Sequence, residues 1–428
     1  MPFKKIISDG FSAAIAAGNP DQITKDAYLE LDKPPSHVIA LGKAAGAMAE
    51  AVRNCGYNGT GIVITTDENH RHIHGFNCIA SAHPVPDKRG LDATTAVESL
   101  ISGLGEDNHL LLLISGGGSA LLPAPAIGIS LTQKIALNDV LLASGLDIHA
   151  INIVRRLFSR LKGGQLARLA APARITQFLL SDVPGDAPES IASGLAVADP
   201  VPLDDALALI RNQKFDRLDF VMPRLESIIS NDVVGPVRPG DPVLDRVTTR
   251  ILASNAQCRE AAASYVQSVM PQLEYLDAPN LDGEATEMAH RLAALVIEHH
   301  NQNECLARPF GFVAGGETTV TLEMSNPGKG GRSQELALSF ALEMQDAGSG
   351  APQRWAILAA GTDGRDGPTD AAGGVITSEQ FFDQAAASTA LSRHASYDYL
   401  RAYDQLFKVG ATGTNLADLV LVIAQSSY

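Results

Sequence analysis

The sequence predicts an α/β fold in which mostly parallel sheets are flanked by helices. Short apolar runs of strand length alternate with segments whose apolar residues recur at helical spacing, an order typical of parallel sheets covered on both faces. Glycine is abundant, with 38 residues, and aromatic residues make up only 5%, which suits many tight turns between strands and helices. A length of 428 residues with 45% hydrophobic content indicates two or three domains with sizeable cores.

The first half of the chain contains five predicted strands. The clearest is Leu110–Ile114, which consists only of Leu and Ile and is therefore typical of a strand covered on both faces. The other predicted strands are Val38–Leu41, Gly61–Thr65, Cys78–Ser81 and Ile175–Leu180. Apolar residues at helical spacing predict the helices Lys43–Asn54, Leu131–Ala143 and Ile148–Leu161.

A segment rich in Pro and Gly, residues 231–245 (NDVVGPVRPGDPVLD), precedes the second half. Such a composition favours a linker, so we predict a first domain over residues 1–235 and a second over residues 236–428. The alternating pattern then resumes. The predicted strands are Arg250–Ala253, Gly311–Ala314, Thr318–Leu322, Trp355–Ala360 and Leu416–Ala424, and the predicted helices are Ala256–Met270, Glu284–His299 and Arg332–Met344.

Charge and composition exclude several classes of partner. The net charge is −15 and the pI is about 5.1, which argues against nucleic acid or an anionic membrane as a general partner. No stretch approaches the ~20 apolar residues of a membrane span. Four scattered cysteines form no C-x-x-C pair, so we expect a reduced, cytoplasmic protein.

The most informative segment is Gly361–Asp370 (GTDGRDGPTD), which follows the predicted strand Trp355–Ala360. Ligand sites in open α/β sheets lie at the carboxyl ends of strands. Three carboxylates in one glycine-rich turn, those of Asp363, Asp366 and Asp370, repel one another unless a cation lies among them. The segment therefore predicts a metal or metal–nucleotide site, and the alternative is a solvated acidic loop.

Further glycine-rich turns follow other strands and carry cations. Ser115–Ser119 (SGGGS) can turn several backbone N–H groups towards a phosphate or carboxylate, although a plain tight turn is the alternative. Lys43 follows a strand and lies at a predicted helix start, where an ammonium is unfavourable unless it holds an anion or reaches into solvent. Arg332 in Gly328–Glu335 can bind a phosphoryl or carboxylate group through two nitrogens.

Four other positions are candidates with open alternatives. Asp182 and Glu317 each follow a predicted strand in a glycine-rich turn. In Lys162-Gly163-Gly164 a glycine could simply end the preceding helix. His83 precedes a proline and is either a substrate contact or a turn residue. Cations and carboxylates around glycine-rich turns are what phosphoryl transfer from a magnesium nucleotide to an anionic acceptor requires.

The motifs, taken in order, resemble those of the glycerate 2-kinase family, or class II glycerate kinases, whose C-terminal part is the MOFRL domain. The match extends over nearly the whole chain and is specific because many weak motifs recur in one order. These motifs are GKAA at 42–45, HPVPD at 83–87, SGGGSALL at 115–122, KGG at 162–164, LSDVPGD at 180–186, ASN at 253–255, GGET at 315–318, GGRSQEL at 330–336 and GTDG at 361–364.

The resemblance implies a Rossmann-like kinase domain over residues 1–235 and an α/β domain over 236–428 that includes the MOFRL region at about 308–425. It implies an active-site cleft between them and transfer of the ATP γ-phosphoryl group to the 2-hydroxyl of D-glycerate with Mg²⁺. We expect Lys43, Arg332 and Asp182 to be catalytic, and Asp182, Asp363 and Asp366 to hold the metal. The expected substrate or ATP contacts are Gly116, Gly117, Gly118, Ser119, His83, Lys162, Asn255, Gly316, Glu317, Gly330, Gly331 and Gln334.

Two other functions compete with the kinase. Some relatives of this family carry the name of a hydroxypyruvate or tartronate semialdehyde reductase that uses NAD(P)H, but no G-x-G-x-x-G motif follows a strand here. A sensor that only binds a sugar acid would not need Lys43, Arg332 and Asp363 together. We expect a monomer or homodimer with no nucleic-acid or membrane partner.

Overall fold

The apolar runs form two six-stranded sheets in the computed structural model, which describes residues 1–230, 232–303, 308–322 and 327–426. The strands in these residues are β1 His37–Leu41, β2 Thr60–Thr65, β3 Phe76–Ala80, β4 His109–Ile114, β5 Arg174–Ser181, β6 Val247–Ser254, β7 Glu274–Tyr275, β8 Phe310–Gly316, β9 Arg354–Gly361, β10 Gly373–Thr377, β11 Leu406–Phe407 and β12 Asp418–Gln425. The α/β class, with helices flanking each sheet, is confirmed.

The α-helices of the same residues lie between and beside these strands. They are α1 Phe3–Ala17, α2 Pro20–Leu29, α3 Ala45–Asn54, α4 Lys88–Ile101, α5 Gly118–Leu121, α6 Leu131–Leu142, α7 Ile148–Leu157, α8 Gln165–Ala170, α9 Leu203–Asn212, α10 Val221–Ile229, α11 Asn255–Val269, α12 Ala285–Gln302, α13 Arg332–Asp346, α14 Gln384–Ser392 and α15 Ser396–Ala402. None of the described helices is long and apolar enough to cross a membrane.

The chain divides into two compact units at a different point from the expected boundary at residue 235. Residues 20–252 form the N-terminal unit, and residues 1–19 join residues 253–428 in the C-terminal unit. Helix α1 packs on α11 and β9 through an apolar face that includes the buried Phe3 and Phe11. In the Pro- and Gly-rich segment, whose first residue Asn231 lies outside the described residues, Val237 is fully buried. Its N–H donates to Gly163 O at 2.8 Å, so this segment packs on the N-terminal unit.

The sheet of the N-terminal unit has the strand order β3-β2-β1-β4-β5-β6. The pairs β2–β3, β1–β2, β1–β4 and β4–β5 are parallel, as the sequence predicts. All six residues of β4 are buried. The strand order reverses between β1 and β4, which is the position where open parallel sheets bind ligands.

The sheet of the C-terminal unit has the order β11-β10-β9-β12-β8-β7. Only β7–β8 is parallel among its described pairs, whereas the other four are antiparallel, which differs from the expected mostly parallel sheet. For the β9–β10 pair the physical reason is that residues 362–372 join these strands without a helix, and such short connections join antiparallel strands. The predicted strand Thr318–Leu322 is also absent, and only an isolated bridge from Glu284 to Thr319 forms there.

A separate apolar core in the N-terminal unit lies among α6, α7, α9 and α10. The last carbonyls of α7 would lack partners at the helix end, and two buried cations supply them. Lys134 Nζ donates to Arg155 O at 3.2 Å and to Phe158 O at 2.8 Å, and Arg224 Nε donates to Leu157 O at 3.1 Å. Burial lowers the pKa of Lys134 to about 7.

This buried lysine predicts a pH-dependent stability. Between pH 7 and 10 the unfolded chain binds a proton at Lys134 that the folded chain has released, so the free energy of unfolding rises with pH. The slope from one such group is at most about 1.4 kcal/mol per pH unit. We expect Lys134→Met to flatten this rise in urea denaturation at pH 7, 8 and 9. The exposed Lys25→Met serves as control, and parallel curves for Lys134→Met and the parent would contradict the assignment.

Candidate active site

Two predicted turns meet where the strand order of the N-terminal unit reverses. Lys43 follows β1, and its backbone N–H donates to Gly116 O at 2.9 Å. The next N–H, that of Ala44, donates to Ser115 Oγ at 3.0 Å. Gly42 has a φ of +122°, and a Cβ there would lie 2.3 Å from Ser115 Oγ. Glycine is therefore required for this contact, which fixes Lys43 beside the glycine turn, residues 115–119.

His83 joins Lys43 at the same turn. A Cβ on Gly117 would lie 3.3 Å from the His83 ring and 3.5 Å from Lys43 Cγ, so the ring and the lysine stem flank this glycine. Burial lowers the pKa of His83, and the nearby charge of Lys43 lowers it further. Both effects favour the neutral form of the His83 ring.

Lys162 supports the glycine turn from the interior. It is 2% exposed, and its ammonium donates to Ser119 O at 2.7 Å and to Ser119 Oγ at 2.8 Å. Ser119 Oγ lies 3.0 Å from Ser193 Oγ, which donates to Asn152 Oδ1. Burial lowers the pKa of Lys162. Its contacts place this residue beneath the turn, where it holds Ser119.

Gly163 and Gly164 do not end the preceding helix, because α7 ends at Leu157, four residues before its predicted end. Their φ values are +61° and +78°, and their N–H groups donate to Ser193 O and Gly194 O. Asp182 follows β5, the neighbour of β4, and is half-buried. Lys162 and Asp182 thus belong to the same edge of the sheet as the glycine turn.

In the C-terminal unit, the pairing of β12 with β8 and β9 brings the other predicted turns together. Asp418, the first residue of β12, pairs with Gly316 at the end of β8 and with Gly361 at the end of β9. Glu317 directly follows Gly316, and Asp363 lies two residues after Gly361. A Cβ on Gly361 would lie 3.2 Å from Asp363 Oδ1 and 3.4 Å from Asp418 Oδ1. Glu317, Asp363 and Asp418 form the acidic cluster.

Arg332 begins α13 and binds two members of this cluster. Its Nε donates to Asp418 Oδ2 at 2.6 Å, its Nη2 donates to Asp418 Oδ1 at 3.2 Å, and its Nη1 donates to Glu317 Oε1. Burial opposes the charge of Arg332, but Asp418 and Glu317 outweigh it and raise the pKa of the guanidinium. Asp418 and Glu317 thus share one guanidinium, and Asp363 is the member of the cluster for which no bond to Arg332 is seen.

Asp366 has different hydrogen-bond partners from the acidic cluster, although the sequence predicts a metal ligand there. It is 4% exposed, and its two oxygens accept the N–H groups of Ser333 at 3.1 Å and Gln334 at 2.7 Å. These are the unpaired donors of the first turn of α13. Burial raises the pKa of Asp366 to about 7. The structure therefore gives Asp366 the position of a helix cap.

Several predicted ligand contacts serve as the frame of the site. The Gln334 side chain donates to Asp366 O at 3.2 Å and to Thr369 Oγ1 at 3.0 Å. A Cβ on Gly331 would lie 2.3 Å from Asp366 Cγ, and one on Gly330 would lie 2.4 Å from Ser396 Oγ. Because Gly331, Gly330 and Gln334 meet protein groups this closely, they hold the loop before α13 in place.

Asn255 anchors the start of β12. Its side-chain amide donates to Leu416 O at 2.7 Å and to Asp418 O at 3.1 Å. Asp418 itself is the site residue that the sequence analysis missed, because it lies inside the predicted strand Leu416–Ala424. A single acid in an otherwise apolar run was the available signal. In the described part of the chain no three His, Cys, Asp or Glu residues are arranged to hold a metal ion by themselves.

Comparison with known families and proteins agrees with this arrangement. Residues 6–226 match the sequence model of a domain of unknown function, DUF4147, and residues 310–418 match the MOFRL family. A provisionally named hydroxypyruvate reductase from Agrobacterium vitis is 34% identical over 98% of this chain and 94% of its own length.

Two further relatives carry the name of a kinase. A glycerate 2-kinase from Pyrococcus horikoshii is 35% identical over 91% of this chain and 87% of its own. The crystal structure of a glycerate kinase from Thermotoga maritima is 30% identical, covers 98% of this chain and 99% of its own, and superposes with a TM-score of 0.83. The chain therefore belongs to the glycerate 2-kinase family of enzymes, with a MOFRL domain in its C-terminal part.

Proposed function

We propose that this enzyme transfers the γ-phosphoryl group of ATP to the 2-hydroxyl group of D-glycerate and so forms 2-phosphoglycerate. The observation that carries the proposal is Lys43, which is fixed against the glycine turn where the strand order reverses. Relatives named glycerate 2-kinase match most of the chain and support the same reaction. We further propose that Lys43 and Arg332 are each catalytic.

The glycine turn and Lys43 bind an anionic group of the nucleotide or of glycerate. The turn begins directly after β4, so its backbone N–H groups lie where a phosphate or carboxylate can accept them. Lys43 adds a positive charge, which an anionic substrate needs on a protein with a net charge of −15. Lys162 keeps Ser119 in place through two hydrogen bonds. His83 contributes a polar ring to the same surface.

Arg332 stabilises the charge of the phosphoryl group during transfer. The transition state of phosphoryl transfer is loose, so position and charge matter more than a strong base. A guanidinium can bind two phosphoryl oxygens in a fixed geometry. Asp182 is the carboxylate that we propose as acceptor of the hydroxyl proton or as a metal ligand, because it is half-buried at the sheet edge of Lys43.

The acidic cluster fits a magnesium ion that is held mainly by phosphate oxygens. Mg²⁺ in kinases keeps several waters and takes one or two carboxylates from the protein, so three clustered protein ligands are not needed. Asp363 is half-buried, and one of its oxygens accepts the Arg365 N–H at 2.9 Å. We propose Asp363 as a metal ligand of the C-terminal unit, and Asp182 as a separate metal-ligand candidate of the N-terminal unit. When bound, Mg²⁺ neutralises charge on the β- and γ-phosphates. Asp366 does not fit, since both of its oxygens cap α13.

A reductase acting on hydroxypyruvate is the second candidate, because two relatives from Agrobacterium vitis are provisionally named so. The missing dinucleotide motif counts against it. We expect no oxidation of NADH or NADPH with hydroxypyruvate or tartronate semialdehyde, measured at 340 nm, under conditions in which glycerate is phosphorylated. If the rate of turnover with NAD(P)H exceeded the rate of glycerate phosphorylation, the reductase would replace the kinase as the proposed function.

We also propose a cytoplasmic location, which the free thiols of Cys55, Cys78 and Cys258 support. A monomer or homodimer stays a prediction.

Loss of either proposed catalytic cation should abolish most turnover. We expect Lys43→Ala and Arg332→Ala each to lower kcat by at least about 100-fold, because each removes charge stabilisation of the transferring group. The assay couples Mg-ATP and D-glycerate to enolase without phosphoglycerate mutase, so that a signal reports only 2-phosphoglycerate. ADP release that depends on glycerate without an enolase signal would instead show phosphorylation at the 3-hydroxyl. The exposed Lys25→Ala is the matched control, and near-normal turnover of Lys43→Ala or Arg332→Ala would refute that residue's role.

Two acids of the Gly361–Asp370 segment, Asp363 and Asp366, should differ in their dependence on metal. We expect Asp366→Ala to lower the free energy of unfolding by about 1–2 kcal/mol, as loss of a helix cap does, equally with Mg²⁺ and with EDTA. Asp363→Ala should change stability less and raise the Mg²⁺ concentration that gives half-maximal activity. Chemical denaturation and a magnesium titration of initial rates measure the two effects. If Asp366→Ala instead raised the Mg²⁺ concentration for half-maximal activity, and Asp363→Ala lowered the free energy of unfolding more, Asp366 would be the metal ligand.

A further inference from the structure

Asp418 is a buried charge in an unfavourable place. It is the only charged residue of β12, whose sequence is DLVLVIAQ, and it is 5% exposed. An ionised carboxylate in such a position costs several kcal/mol unless a cation and hydrogen bonds compensate it. Arg332 supplies both. Burial raises the pKa of Asp418, whereas the Arg332 charge lowers it, so the carboxylate depends on this partner.

The geometry of the pair fixes the direction of the guanidinium. Asp418 engages the Nε–Nη2 edge of Arg332 through both of its oxygens, at 2.6 and 3.2 Å. Two parallel hydrogen bonds hold the plane of a guanidinium as well as its position. The residues that pair with Asp418 on both sides, Gly316 and Gly361, have no side chains, which leaves space at Asp418 for the arginine.

The remaining partner of Arg332 is of a different kind. Glu317 accepts from Nη1, but its side chain is 49% exposed, compared with 7% for Asp418. An exposed ion pair contributes little to stability, so a phosphoryl oxygen can take the place of Glu317. The buried pair with Asp418 cannot exchange in this way without leaving a charge uncompensated.

We propose that Asp418 is a positioning residue for glycerate phosphorylation, which holds the Nε–Nη2 edge of Arg332 so that Nη1 can exchange Glu317 for the transferring phosphoryl group. The proposal rests on the proposed function of Arg332. It differs from a purely structural ion pair between β12 and α13, because it requires the effect of Asp418 on turnover to pass through Arg332.

A double-mutant cycle tests this dependence. Asn at position 418 has one acceptor oxygen and no charge, so Asp418→Asn should misplace the guanidinium and lower kcat by about 10- to 100-fold, with a smaller change in KM. In the Arg332→Ala or Arg332→Lys background, the same substitution should lower kcat by less than about twofold, because the group it positions is already gone or altered. Equal losses in both backgrounds would overturn the proposal.

The control is a second buried carboxylate of the same kind. Asp199 is 1% exposed and binds Arg156 at 3.1 Å in the N-terminal unit. We expect Asp199→Asn to lower the melting temperature, and its effect on kcat, whatever its size, to be the same with Arg332 or Ala at position 332. If the Asp199 and Asp418 variants behave alike in this cycle, the role of Asp418 is structural.

Chemical rescue is a measurement that a change in protein stability does not affect. Added guanidinium, at millimolar concentrations below those that unfold the protein, should restore part of kcat to Arg332→Ala but not to Arg332→Ala/Asp418→Asn. Equal rescue of both variants would contradict the proposal. The two hypotheses fail in different ways. Normal turnover of Arg332→Ala would contradict the proposed function of Arg332. An inactive Arg332→Ala together with a fully active Asp418→Asn would contradict only the positioning role of Asp418.

Discussion

The apolar interiors of β4 and β12 leave ionisable groups only at the ends of these two strands, and the candidate site follows from this constraint. All six residues of β4 are buried, and seven of the eight residues of β12 are. A charge within these strands would need a partner that the neighbouring apolar side chains cannot provide. Lys43 follows the end of β1, and Asp418 is the first residue of its strand. In both positions glycines at the neighbouring turn or strand provide the space that the polar group uses.

The two units place polar groups at the ends of strands in different ways. In the N-terminal unit the strands β1 to β5 are parallel neighbours, so their carboxyl ends share one edge and the turns after β1 and β4 meet. In the C-terminal unit β12 runs antiparallel to both β8 and β9. Its first residue therefore lies level with the last residues of its two neighbours. One unit presents cations around a glycine turn, and the other presents an arginine held among carboxylates.

Local patterns predict the first sheet well and the second only in part. The strands around Leu110–Ile114 follow directly from uninterrupted apolar runs. The relative direction of β9 and β10 depends on whether residues 362–372 contain a helix, and the polar pattern there predicts only a loop. The docking of α1 on α11 joins residues that are more than 230 positions apart, which no local pattern encodes. Sequence patterns do not single out Asp418, because its partner Arg332 lies 86 residues away. They also do not distinguish a capping role of Asp366 from a metal-binding role, because a capping acid and a metal ligand look alike in sequence.

The membership of residues 1–19 in the C-terminal unit has a consequence for biosynthesis. A ribosome makes the apolar face of α1, with Phe3, Ile6, Ile7 and Phe11, long before it makes the strands and helix that cover this face. The nascent chain therefore carries an unprotected hydrophobic helix while the whole N-terminal unit is translated and can fold. Apolar surface that is exposed in this way favours aggregation until the C-terminal unit is complete. It also means that residues 253–428 expressed alone would expose the surface that α1 normally covers.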